Sequence, residues 1–157
     1  MALKPDRIEL LSDISFFMST TATRGGVVSV STASTGVGVA MDDANAVVAY
    51  ASNPSGAYPV GVLLNDVVNL DLTRQHINFH KDEVQSGGKV AVLRKGQVTT
   101  SNINGTPAAG QTAYLHSGGN VSATQETGAV AVGQFLSAKD SDGYAKVSIN
   151  GRNKQCQ

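Results

Sequence analysis

One cysteine, no tryptophan, eight phenylalanines and tyrosines together and four prolines in 157 residues leave several chemistries without their reagents. The cysteine, Cys156, is next to last, so no intrachain disulfide and no cysteine-based metal site is expected. Charge of either sign is also scarce: 12 basic side chains cancel 12 acidic ones, leaving neither a basic surface to track phosphates nor an acidic one to mimic them. With so few aromatics to interleave with Lys or Arg, a base-stacking surface is not expected either, and no nucleic-acid partner is expected. No apolar run approaches the roughly 20 residues of a membrane span. The leading Met1-Ala2-Leu3-Lys4-Pro5-Asp6-Arg7 lacks the apolar core of a signal peptide, so production in a cytoplasm and no membrane partner are expected. Asn104-Gly105-Thr106 and Asn120-Val121-Ser122 are accordingly read as turn residues rather than glycosylation sites.

Catalytic vocabulary is missing as well. There is no Gly-x-Ser-x-Gly elbow and no phosphate loop ending in Gly-Lys-Ser/Thr. His76 and His80 would share a ligating face on a helix, but in a strand they stand about 13 Å apart. Asp71 joins them only if strand pairing brings it near. Asp140-Ser141-Asp142-Gly143 has the opening of a calcium loop, yet Tyr144 takes the next ligand position and no bidentate glutamate follows. A tight turn with Gly143 at positive φ accounts for the same residues. The chain reads as a non-enzyme with no metal and no cofactor.

What the sequence does have is glycine, 17 of them, with 41% hydrophobic and 15% charged residues, the mixture of a turn-rich β-protein with a core. The stretch 87–149 sets the pattern. Gly87 to Thr100 reads as a compact hairpin, followed by strands in 107–115, 128–136 and 142–149, with a glycine turn at Gly118-Gly119. Upstream, Val27-Val28-Ser29-Val30-Ser31 predicts a strand with Val28 and Val30 on one face. Val37, Val39 and Met41 predict another, Asp42-Asp43-Ala44-Asn45 a turn, and 46–51 a further strand. Asn53-Pro54-Ser55-Gly56 is a turn. Tyr58-Pro59-Val60-Gly61-Val62-Leu63-Leu64 and Ala131-Val132-Gly133-Gln134-Phe135-Leu136 share a Val-Gly-x pattern that hints at a duplicated half-barrel. Residues 65–73 alternate, and Ile77 and Phe79 oppose His76, Asn78 and His80 in an amphipathic strand.

Residues 1–24 differ from the remainder, having no glycine and half of the phenylalanines. As a strand, Ile8, Leu10, Ile14, Phe16 and Met18 share a face; as a helix opened by Pro5, Leu10, Ile14, Phe17 and Met18 form a stripe. Periodicity does not separate the two, and composition favours an extended arm after Ser12. Such an apolar arm must dock, either on its own domain or on a neighbour. The expectation is an all-β chain: an arm over 1–24, a small barrel or sandwich over 25–151, and a polar tail over 152–157.

The run Val47-Val48-Ala49-Tyr50, the strand Tyr58 to Leu64, and Gly88-Lys89-Val90-Ala91-Val92-Leu93-Arg94-Lys95-Gly96-Gln97-Val98 together resemble the head decoration (cement) proteins of tailed bacteriophages. The segment Pro107 to Leu115 and the ending from Val132-Gly133-Gln134-Phe135-Leu136 to Val147-Ser148-Ile149 are similar too. The resemblance implies a small barrel on the capsid exterior of the virion. It further implies a homo-oligomer, with a trimer favoured, that clamps adjacent copies of the major capsid protein against internal pressure. It places the grip in the arm, at Ile8, Ile14, Phe16, Phe17 and Arg24. The alternative is a receptor- or carbohydrate-binding β-domain of a phage tail or fibre.

Overall fold

The computed structural model describes residues 2–31, 46–69 and 83–150. The expected strand at Val37–Met41, the turn at Asp42–Asn45, the His76/His80/Asp71 grouping and the tail with Cys156 lie outside them.

The described chain is almost wholly β, rolled into a curled half-barrel. Its strands are β1 (Ile8–Phe17), β2 (Val27–Val30), β3 (Val48–Ala49), β4 (Pro59–Leu63), β5 (Asp66–Val68) and β6 (Glu83–Gln85). Then come β7 (Lys89–Thr100), β8 (Ile103–Asn104), β9 (Thr112–Leu115), β10 (Val121–Ser122), β11 (Ala131–Phe135) and β12 (Ala145–Asn150). The one helical turn among the described residues is a 3-10 turn at Ser117–Gly119. The main sheet runs β3-β2-β4-β7-β12-β11-β9-β10-β8, with β1 attached to β7, and β5 and β6 form a separate parallel pair.

Lys89–Thr100 is one long strand and not the hairpin its Arg94-Lys95-Gly96 segment suggests. Its halves find different partners instead of each other: Leu93 and Val92 pair with β4, while Lys95 to Thr100 pair with β12. β1 runs antiparallel along the same strand from Gln97 back to Lys89. Gly96 permits this, having φ +155° and a position where a Cβ would come within 2.1 Å of the Ile8 carbonyl oxygen.

Two apolar clusters cover the two sides of this sheet. The larger gathers Val27, Leu93, Val98, Leu115, Phe135, Val147 and Ile149; the smaller gathers Met18, Val28, Val48, Leu63, Val90 and Val92. Val92 and Leu93 are successive residues, and both are fully buried, because the first half of β7 has a core on each face. The same division corrects the reading of β2. Val27 and Val28 go to opposite clusters, a bulge follows at Val28/Ser29, and Val30 is left exposed.

The paired Val-Gly-x motifs fall on β4 and β11, where they meet the same steric demand. A Cβ on Gly61 would lie 2.1 Å from the Leu93 carbonyl oxygen, and one on Gly133 would lie 1.8 Å from that of Ser148. Each glycine lets a neighbouring backbone press close.

Candidate functional site

Residues 2–18 form a strap fixed at both ends and exposed between them. At the leading end Leu3 is buried in the larger cluster and bridges Thr100. The Lys4 amide donates to the Thr99 carbonyl at 2.9 Å, and the Ser101 amide to that of Ala2 at 2.8 Å. The Lys4 ammonium lies 3.3 Å from Asp140 Oδ2 and 4.5 Å from the centre of the Tyr144 ring. At the trailing end Phe17 and Met18 are buried; the Phe17 amide donates to Ala46 at 2.8 Å and the Gly87 amide to the Met18 carbonyl at 2.8 Å.

Between these anchors β1 has a different character. Ile8 is 50% exposed, Leu10 68%, Leu11 53% and Ile14 70%, four large apolar side chains on a segment whose backbone is already extended. Three register shifts against β7 break the alternation, which is why the consecutive Leu10 and Leu11 both face out. Among the described residues no strand pairs with the edge of β1 that faces away from β7, apart from a bridge of Phe17 to Val47 at its end. The polar side chains are tied locally. Arg7 pairs with Glu9, Ser12 Oγ donates to Glu9 Oε2 at 3.2 Å, and the Ser15 amide donates to Asp13 Oδ1 at 2.8 Å. The Ser15 hydroxyl and amide, with Arg94 at 3.8 Å adding to them, hold the Asp13 carboxyl below its usual range.

The residues expected to grip a partner thus separate. Ile8 and Ile14 are presented to solvent, and Phe16 is half-buried against the smaller cluster. Phe17 is only 1% exposed, and its side chain is committed to the chain's own core. Arg24 lies past the strap, its amide donating to Asp66 Oδ1 at 2.8 Å. Sequence reasoning missed Leu10 and Leu11 as outward residues, because the register shifts that turn both of them out depend on the pairing with β7.

The strap leads into a clasp around Tyr50. Its hydroxyl donates to the Thr23 carbonyl and accepts the Gly26 amide at 3.2 Å, while its ring fills the space a Cβ on Gly26 or Gly119 would need. Burial raises the Tyr50 hydroxyl to about 12.

The other constellations resolve structurally. Asp140 Oδ1 accepts the amides of Asp142 at 3.0 Å and Tyr144 at 2.9 Å, and Gly143 has φ +85°, so the calcium-like sequence is a turn whose carboxylate is already engaged. Among the described residues no three His, Cys, Asp or Glu side chains gather as a metal set, and no helix is long and apolar enough to cross a membrane. A void of about 10 Å³ between β4 and β11 has room for about one water. A wider open cleft is lined by Thr21, Thr23, Asp66 and Glu83.

A family model described as XM1 gp53 minor capsid protein matches residues 13–150. No curated protein matches the chain.

Proposed function

Because the chain belongs to the XM1 gp53 minor capsid protein family, and so has a structural role in a phage virion, we propose that it docks on the shell through β1 and clamps neighbouring major capsid proteins. The observation that carries this is the strap itself: a strand edge that no other strand among the described residues pairs with, bearing Ile8, Leu10, Leu11 and Ile14, each at least half exposed. An edge of this kind invites addition of a partner strand, with main-chain hydrogen bonds supplying affinity and alternate side chains supplying specificity. A free tail would lose conformational entropy on docking. This one is already extended along β7, so most of that cost is met within the fold.

On a shell many such contacts act together, and modest affinity at each suffices. Attachment to the capsid exterior, and a trimer that shares the load around each local symmetry point, complete the proposal. The grip is assigned to Ile8 and Ile14 with Leu10 and Leu11 beside them, Phe16 at its margin and Phe17 as an anchor beneath. Arg24 holds the turn that returns the chain to the domain.

Hydrogen exchange tests the assignment. Chain added to shells that lack it should show new protection in residues 8–15 and little change in β12, with a solution mass three times that of one chain. Shell-bound protein whose β1 amides exchange as fast as in the free chain would refute docking through the strap.

A further inference from the structure

His116, Asn104 and Glu126 converge from three separate segments at the far end of the sheet. His116 follows β9, Asn104 ends β8, and Glu126 sits in the loop between β10 and β11. Glu126 Oε1 is 2.7 Å from His116 Nε2, and the side-chain amide of Asn104 is 2.8 Å from the same nitrogen. A carboxylate oxygen repels a nitrogen lone pair, so Nε2 must meet a positive occupant, either its own proton or a cation. The amide then presents Oδ1, which a half-turn about its last torsion brings round. One N–H can point squarely at only one of two acceptors. A cation bonds to all three donors at once.

We propose that Nε2 of His116, Oε1 of Glu126 and Oδ1 of Asn104 form a binding site for a divalent transition metal. Two ligands in adjacent positions around a six-coordinate ion stand about 3 Å apart, within a few tenths of an ångström of the separations here. The other ring nitrogen, Nδ1, is 3.1 Å from Ser117 Oγ, an outer partner of the type that orients metal-bound histidines. The scaffold around the donors is held as well. The His116 amide donates to the Asn120 carbonyl at 2.8 Å, and Ala129 to the carbonyl of Glu126 at 3.0 Å. The His116 side chain is 17% exposed and that of Glu126 44%, which leaves an approach for the ion and positions for water. Imidazole with two oxygens suits zinc, cobalt, nickel or copper and not calcium or magnesium. Binding would fasten the 123–130 loop to the edge of the sheet.

The test uses the isolated full chain after chelator treatment, titrated with zinc chloride and, separately, cobalt chloride. One equivalent should bind by calorimetry, and Tm should rise by about 5–10 °C at free metal a hundredfold above the Kd. His116→Ala should abolish both effects. Asn104→Asp, which replaces the amide with a charged oxygen donor, should tighten binding about tenfold. If His116→Ala fails to fold, Glu126→Gln should still weaken binding at least tenfold with an unchanged circular dichroism spectrum. No metal response in the wild-type chain, or a response that survives His116→Ala because metal sits at His76, His80 or Cys156, would overturn the proposal. Shell binding plays no part in the measurement, so its outcome is independent of the docking role.

Discussion

Replacing Leu10 and Ile14 together by serine should separate docking from folding. Both side chains are about two-thirds exposed in the free chain, so their removal leaves its core intact and shifts stability by no more than about 0.5 kcal/mol. A docked strap would bury most of that surface. Full burial of a Leu or Ile side chain contributes about 1.5–3 kcal/mol, and two-thirds of it about 1–2 kcal/mol at each position. The double variant should therefore bind shells some 30- to 1,000-fold more weakly per site while melting within about 2 °C of wild type. Phe17→Ala supplies the contrast. That side chain is 1% exposed beneath the strap, and its loss should cost about 3–5 kcal/mol of stability and lower Tm by about 10 °C. The assay is sedimentation of shells with labelled chain over a concentration series, alongside thermal melts. Undiminished occupancy by the Leu10/Ile14 variant would refute the reasoning, whatever the melts showed.

Three further outcomes rest on the fold. Gly61→Ala and Gly133→Ala drive a Cβ into a backbone carbonyl at 2.1 and 1.8 Å and should destabilise by several kcal/mol in urea; Gly56→Ala meets nothing within 4 Å and should cost about 1 kcal/mol, from its φ of +75° alone. Tyr50→Phe strips the clasp of its hydroxyl and should lose about 1–3 kcal/mol in the same assay. In the wild type, the folded-state value of about 12 for Tyr50 lies above the ordinary 10, so its contribution is intact below pH 10 and lost as pH climbs toward 12; stability measured across that window should fall, and fall less in Tyr50→Phe. Asp140 is held below its ordinary value first by the Tyr144 amide and then by Lys4, so its contribution is present above about pH 4 and lost on acidification through the lowered value. Asp140→Asn keeps an oxygen for the turn amides and should flatten that acid limb in pH-dependent melts.

The short apolar runs between glycine turns gave away β4, β9, β11 and β12, and in β9 and β12 the residues at alternate positions meet a single core. Other features depend on neighbours far along the chain. Arg94-Lys95-Gly96 has the composition of a turn, and only the arrival of β4, β12 and β1 keeps it extended. Val28 and Val30 share a face in an ideal strand, but the bulge against β4 parts them. In the arm, Leu10-Leu11 fits neither period because three register shifts interrupt the ladder. The resemblance to capsid decoration proteins pointed to a phage shell, and the family match supports a minor capsid protein of the virion. His116 drew no notice in the sequence because Asn104 and Glu126 reach it only through the fold, in a spacing that matches no motif.

A strap buried at both ends also governs how the molecule would carry tension. Force applied at its exposed middle cannot peel β1 from a loose terminus, one hydrogen bond after another. It must drag Leu3 or the Phe17-Met18 pair out of a packed interior first. A shell straining outward would therefore load the domain as a cinched belt loads its two rivets, and the fastening would give way only when one of them tears free.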